Sequence, residues 1–267
     1  MDKLCTRIFG YTKFLWSKSN RWHKGFLIFA LIETRIFPGG QVGFHCNDPA
    51  LSHPYTGDTI SWKLLLATVI ILPLVVMLIV ERKYHTNKRI KPKDQALYWY
   101  REYLFGVLLN LITIQLMKSI VGSPRPHFFD TCSPKEALTC EGSEYIESYT
   151  CTKAHWLNQS DRSFPSGHTS LAFHAAIYLA YYISNRSKAK SASIIAIQLV
   201  LLTSAAFCSV SRMSDHRHHW WDVVAGAAIS LPLLWYTIRN LCKNFDCSVS
   251  DEEAENLKNG TGAYVKT

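Results

Sequence analysis

Residues 62–80 read Trp-Lys-Leu-Leu-Leu-Ala-Thr-Val-Ile-Ile-Leu-Pro-Leu-Val-Val-Met-Leu-Ile-Val, an apolar run broken in polarity only by Lys63 and Thr68. A helix needs about 20 residues to cross the hydrocarbon of a bilayer. Working outward, four more apolar runs follow: Leu97–Met117 with Arg101 and Glu102 near its start, Ser170–Ile183, Ser191–Val210 and Val223–Ile238. Ser170–Ile183 reaches spanning length only if its helix begins further back, near Ser166-Gly167-His168. Gly25–Ile32 is marginal, since so short a run does not span. It crosses only by recruiting Phe14, Leu15 and Trp16 and by turning Arg21 and Lys24 to the interface or a neighbouring helix; otherwise it lies in the interface. The pattern predicts an all-α polytopic membrane protein with six transmembrane helices.

Charge decides between six crossings and five. The formal net charge of +9 could suggest nucleic acid, but no finger spacing or aromatic-basic signature is present. Lys and Arg instead collect between apolar runs, as cytoplasmic loops require. Arg82, Lys83, Lys88, Arg89, Lys91 and Lys93 lie in 81–94, and Arg186, Lys188 and Lys190 in 185–190. Both loops fall on one side, with the tail that begins Arg239-Asn240-Leu241. Six crossings keep the basic segment 1–24 on that side, whereas five would carry it across. Segment 1–24 lacks the apolar stretch and cleavage site of a signal peptide. It is read as a cytoplasmic segment, 25–240 as the membrane-embedded domain, and 241–267 as a cytoplasmic tail whose acidic, polar composition predicts disorder.

The connections near 33–61, 118–167 and 211–222 then face the lumen or exterior. Asn158-Gln159-Ser160 is a glycosylation sequon in the longest of them. Cys46, Cys132, Cys140 and Cys151 share that oxidising side, and four cysteines allow three pairings. Cys5, Cys242 and Cys247 fall on the reducing side and Cys208 within a span. Sequons at Asn185 and Asn259 fall on the cytoplasmic side and should stay unmodified.

The outer connections also hold the ionisable groups. Phosphoryl transfer spreads charge over three oxygens, which cations and backbone donors must meet. Lys118, Arg125 and Arg212 supply cations, and arginine can bind two oxygens at once. Ser166 and the Gly167 N–H add donors at a helix start, which favours an anion. His218 and Asp222 are four apart, so a helical turn would put them on one face. The aspartate would fix the imidazole tautomer and leave the other nitrogen to attack phosphorus. His168 would protonate the departing alkoxide. His127, Asp130, Asp215, His216 and His219 are weaker candidates. His216 and His219 suit a hydrated rim, and Asp215 is expected to turn to Arg217 or water. The cysteine spacing does not suit zinc, and neither metal nor cofactor is expected.

These groups fall into three motifs: Lys118 with Arg125-Pro126; Pro165-Ser166-Gly167-His168; and Ser211-Arg212 with His218 and Asp222. The set resembles the three-part signature of the lipid phosphate phosphatases, in the type 2 phosphatidic acid phosphatase superfamily that also holds vanadium haloperoxidases. Gly43–Asp48, Tyr145–Tyr149 and Arg212–Trp220 resemble the animal members, and the likeness covers roughly 25–240. It implies that superfamily's helical core with six spans, a site facing the outside or lumen, and no metal. It also implies His218 as phosphorylated nucleophile, His168 as acid, Asp222 as orienting carboxylate, and Lys118, Arg125, Arg212, Ser166 and Gly167 as phosphate ligands. The implied substrates are phosphatidate, lysophosphatidate, sphingosine 1-phosphate and ceramide 1-phosphate, taken from the outer or luminal leaflet of the plasma membrane or endomembranes. A homo-oligomer is compatible with this reading. The competing readings are a haloperoxidase, a glucose 6-phosphatase-like or polyisoprenyl-diphosphate phosphatase, and a silent lipid-phosphate-binding or adhesion protein. The chain departs from the family in its short first apolar run.

Overall fold

The computed structural model describes residues 21–34, 39–86 and 91–245. Most of segment 1–24 and the acidic tail from Asp246, with Cys5, Cys247 and Asn259, lie outside the described residues. Among the described residues six helices dominate: α1 (Arg21–Glu33), α2 (Trp62–Tyr84), α3 (Pro92–Val121), α4 (Gly167–Arg186), α5 (Ser191–Ser214) and α6 (Trp220–Tyr236). A π-helical turn, Thr237–Leu241, continues α6. The helices α2, α3, α5 and α6 with its continuation are long and apolar enough to cross a membrane.

The other two differ for separate reasons. Helix α1 is described over 13 residues, from Arg21, the first described residue, to Glu33, and Phe14, Leu15 and Trp16, on which its crossing was expected to depend, lie outside the described residues. Its Arg21 is turned inward, with Nη2 at 2.6 and 2.7 Å from the two Glu102 oxygens of α3. Helix α4 does begin at Gly167, as its short apolar run required. It is the central helix, packed on α2, α3, α5 and α6. It therefore buries Thr169, Ser170, His174, Tyr178 and Tyr182 against protein rather than showing them to lipid.

Outward faces are the reverse. Ile71, Val75 and Ile79 on α2, Val200 and Phe207 on α5, and Leu231 and Trp235 on α6 are exposed. Apolar patches on this scale are rare on water-soluble monomers and are what a hydrocarbon solvent favours. Backbone groups inside are satisfied locally. Pro73 has no N–H for the Val69 carbonyl, and the Tyr103 hydroxyl donates to that oxygen at 2.9 Å instead. Glu81, fully buried at the end of α2, accepts from Tyr182 Oη at 2.8 Å and from Arg186 Nε at 2.8 Å, the pairing a buried carboxylate needs.

At the opposite end the chain between α1 and α2 and that between α3 and α4 form a cap. Two-residue strands β1 (Phe44–His45) and β2 (Tyr145–Ile146) pair antiparallel, with Phe44 opposite Ile146. This ladder qualifies the all-α expectation without changing the helical frame. Disulfides join Cys46 to Cys140 and Cys132 to Cys151, around a small core of Phe44, Leu51, Phe128 and Tyr149. Helix α3 ends at Gly122, whose φ of +60° is left-handed. A Cβ there would overlap the Gly40 carbonyl, so glycine is required both by conformation and by the approach of the cap.

Candidate active site

Lys118 lies in the last turn of α3 and Arg125 just beyond it; Ser166 caps α4, and His168 sits in its first turn. Arg212 ends α5, His218 follows it, and Asp222 opens α6. The C-termini of α3 and α5 and the N-termini of α4 and α6 therefore bring the three motifs to one end of the bundle, beneath the cap.

The cations are buried, with Lys118 and Arg125 each 7% exposed and Arg212 1%. The Arg162 carbonyl accepts from Lys118 Nζ at 2.8 Å and from Arg125 Nη2 at 3.2 Å. Arg212 donates through Nη2 to Asp58 Oδ1 at 2.6 Å, and through Nη1 to Ile60 O and Asp215 Oδ2, both at 3.3 Å. The Nε groups of Arg125 and Arg212 are buried and have no partner among the described residues. Burial, with the added charges of Arg217 and Arg212, pushes the Arg125 pKa down to about 9. A cluster so rich in positive charge, with buried donors unspent, has the chemistry to receive an anion.

His218 is 3% exposed. Its Nδ1 lies 3.7 Å from Asp222 Oδ2, an ion-pair distance rather than a hydrogen bond. The pair does not share a helical turn, as the spacing had implied. His218 precedes the helix, His219 is its N-cap, and Asp222 turns back as the third helical residue to accept from the His219 N–H at 2.9 Å. Its Oδ2 also accepts from Ser163 Oγ at 2.5 Å. Burial pushes the His218 pKa well below the ordinary 6.5, and the charges of Arg125, Lys118 and Arg212 add to this. The imidazole is thus neutral at physiological pH, the state a nitrogen nucleophile needs.

Ser166 Oγ accepts from the Thr169 N–H at 3.4 Å and Thr169 Oγ1 at 3.0 Å, capping α4. Its own N–H donates to the Asp222 carbonyl at 3.0 Å. Gly226 makes that contact possible, since a Cβ there would overlap the Ser166 carbonyl. At Gly167 a Cβ would meet only ordinary contacts, 3.4 Å from Ile114 and 4.0 Å from Lys118, so packing alone does not demand that glycine. His168, at the tip of α4 ahead of the apolar stretch, has its Nε2 buried without a partner among the described residues.

The weaker candidates divide. His127 is buried, its Nδ1 3.0 Å from Thr131 Oγ1 and its Nε2 3.4 Å from Arg217 Nη1. Asp130 accepts from the Tyr55 N–H at 2.8 Å and holds the cap. Asp215 turns to Arg212 rather than Arg217, and accepts from Thr59 N and Oγ1 at 2.8 and 2.6 Å. His216 stacks on His53 with centroids 3.9 Å apart, at the rim. Asn158 belongs to the short helix Leu157–Ser160, and its side chain lies outside what is described.

Sequence reasoning missed Asp58 and Ser163. Burial raises the Asp58 pKa, but the hydrogen bond from Arg212 and the charges of Arg217 and Arg212 outweigh it and hold the carboxyl below its ordinary value. The one available signal was a deficit, since so many buried cations require a counter-charge. An apolar groove of about 540 Å³ runs down from this end between α2, α4 and α5. It is lined by Ile60, Leu64, Leu72, Ala176, Leu201 and Phe207 among others, and its top residue is the one whose carbonyl holds Arg212.

The sequence profile described as the PAP2 superfamily matches residues 99–246, which contain all three motifs. The chain is 32% identical over 225 residues to phospholipid phosphatase 1 of Mus musculus, covering 79% of each protein. It is 30% identical over 214 residues to phospholipid phosphatase 2 of Bos taurus, covering 76% of this chain and 74% of that one. A Drosophila melanogaster protein whose name carries the words phosphatidate phosphatase is 32% identical over 219 residues, which span 70% of this chain and 58% of the fly protein. With a profile match over more than half its length and relatives at this identity, the chain belongs to the PAP2 superfamily.

Proposed function

We propose that this protein hydrolyses lipid phosphate monoesters to the dephosphorylated lipid and inorganic phosphate through a phosphorylated His218. The observation that carries the reading is the buried set of Lys118, Arg125 and Arg212, with the arginine Nε donors unspent, at the same end of the bundle as His218 and its neighbouring carboxylate. In this mechanism Lys118, Arg125, Arg212, Ser166 and the Gly167 N–H hold the phosphate oxygens. His218 Nε2 attacks phosphorus as the phosphorus–oxygen bond to the lipid breaks, and Asp222 stabilises the imidazolium. His168 gives its proton to the leaving alkoxide. Water then attacks the phosphohistidine, His168 takes a water proton back, and phosphate departs. The negative charge of the arriving phosphate raises the affinity of His168 for that proton.

The cations do what a metal does elsewhere, which supports hydrolysis without one. The apolar groove below Ile60 suits an acyl or alkyl chain, and phosphatidate, lysophosphatidate, sphingosine 1-phosphate and ceramide 1-phosphate all supply one. Six crossings, with α1 and α4 completing the four apolar helices, put the site on the outer or luminal side and the basic loops in the cytoplasm. Asn158 is then available for glycosylation. The test is phosphate release from a panel of lipid phosphates, given to the outer face of intact cells and to purified protein with and without chelator. Release on both, unaffected by chelator, is expected. Binding without release from any lipid would instead favour a silent lipid-phosphate-binding protein, and release restored only by magnesium would end the metal-free reading.

A further inference from the structure

Residues 52–61 cross the face of the site as a strap ahead of α2. The His53 N–H donates to the Pro126 carbonyl at 3.0 Å, and Tyr55 N–H to Asp130. The Tyr55 ring lies 4.9 Å from the Arg217 guanidinium, and Thr59 binds Asp215. In the middle, one oxygen of Asp58 serves two cations: Oδ1 is 2.6 Å from Arg212 Nη2 and 3.0 Å from Arg217 Nε. The next carbonyl but one, Ile60 O, takes Arg212 Nη1.

Lys118, Arg125, Arg212 and Arg217 are all buried here, and like charges in a poorly polarisable site repel strongly. A guanidinium under such repulsion keeps one orientation only if something grips it. Arg212 is gripped at both terminal nitrogens by the strap and Asp215, while its Nε keeps a free donor. We propose that Asp58 is a positioning residue that acts through Arg212, fixing the guanidinium so that its unspent donors face the phosphoryl group in transfer. The inference rests on Arg212 being a phosphate ligand.

The experiment uses purified full-length protein in detergent, with Asp58→Asn, Asp58→Glu, Arg212→Lys and the Asp58→Asn/Arg212→Lys double variant. The readouts are kcat and KM on a short-chain phosphatidate, and binding of vanadate followed by its protection against thermal unfolding. Asp58→Asn should lower kcat/KM by about tenfold to a hundredfold, as expected for a misaimed ligand, with most of the loss in kcat. It should weaken vanadate binding while the thermal midpoint without vanadate stays near that of the parent. Asp58→Glu should recover part of the loss, and the double variant should be no worse than Arg212→Lys alone. Tighter vanadate binding in Asp58→Asn would overturn the proposal, because the carboxylate would then be a competitor of the anion. Losses that multiply in the double variant, or a thermal midpoint that collapses in both Asp58 variants, would overturn it equally. Full turnover by Arg212→Lys would instead remove Arg212 from the phosphate site, a failure of the underlying reading that is distinct from the others.

Discussion

At His218 the surroundings work against protonation, and the pH dependence follows in sign. Its pKa in the folded protein lies below 6.5, through burial first and neighbouring cations second. The neutral, nucleophilic form therefore persists as pH falls through 6.5, and is lost only as pH passes the lowered value. After correction for ionisation of the phosphate and for the proton that His168 takes up, kcat/KM should show no loss centred near 6.5 as pH falls from 7.5 to below 6. A decline centred near 6.5 would show an ordinary, solvated imidazole. Asp222 adds a second residue-scale expectation. Ser163→Ala removes one of two donors to its Oδ2, freeing the carboxylate to turn from His218. Turnover should fall about tenfold with unchanged folding, in line with loss of a charge-assisted hydrogen bond of about 1.5 kcal/mol or more; unchanged turnover would show that the His219 N–H suffices. The grouping of His218, Asp222 and the three cations at one end of the bundle was legible in the sequence because each motif holds its groups at fixed local spacing. Asp58 and Ser163 were not, since a lone acid or hydroxyl in a loop has no pattern until the chain folds over its partner.

Among the elements, α4 and α6 set the spacing of the site. The Ser166 turn rests on α6 through its N–H to the Asp222 carbonyl, with Gly226 one helical turn below that residue. Gly226→Val has no room against the Ser166 carbonyl, so the turn must shift. If that turn binds phosphate as proposed, a displacement of about 1 Å is expected to cost about a hundredfold in kcat/KM. Circular dichroism should show α6 intact, and full activity would show that the turn tolerates the shift. Apolar length alone makes α2, α3, α5 and α6 readable in the sequence. It understates α4, because a central helix can carry Thr169, Ser170, His174 and Tyr178 when other helices solvate them. Spacing alone also reads His218 and Asp222 as one helical turn, where a capping turn brings them together.

Across the whole molecule, polar chemistry gathers at one end under a disulfide-pinned cap, while apolar faces point outward along the bundle. The pairing of the four cap cysteines was closed to sequence reasoning, because spacing does not say which loops meet. The proposed sidedness predicts that Asn158→Gln removes a glycosidase-sensitive mobility shift in protein from a secretory membrane, whereas substitution at Asn185 does not. A shift lost on substitution of Asn185 would invert the orientation. The central claim is covalent: phosphate passes through His218. Turnover of a lipid carrying labelled phosphate, quenched in alkali within a single cycle, should leave acid-labile label on the peptide containing His218, and none in His218→Gln. Lipid hydrolysis with no label on that peptide, together with sustained turnover by His218→Gln, would contradict it.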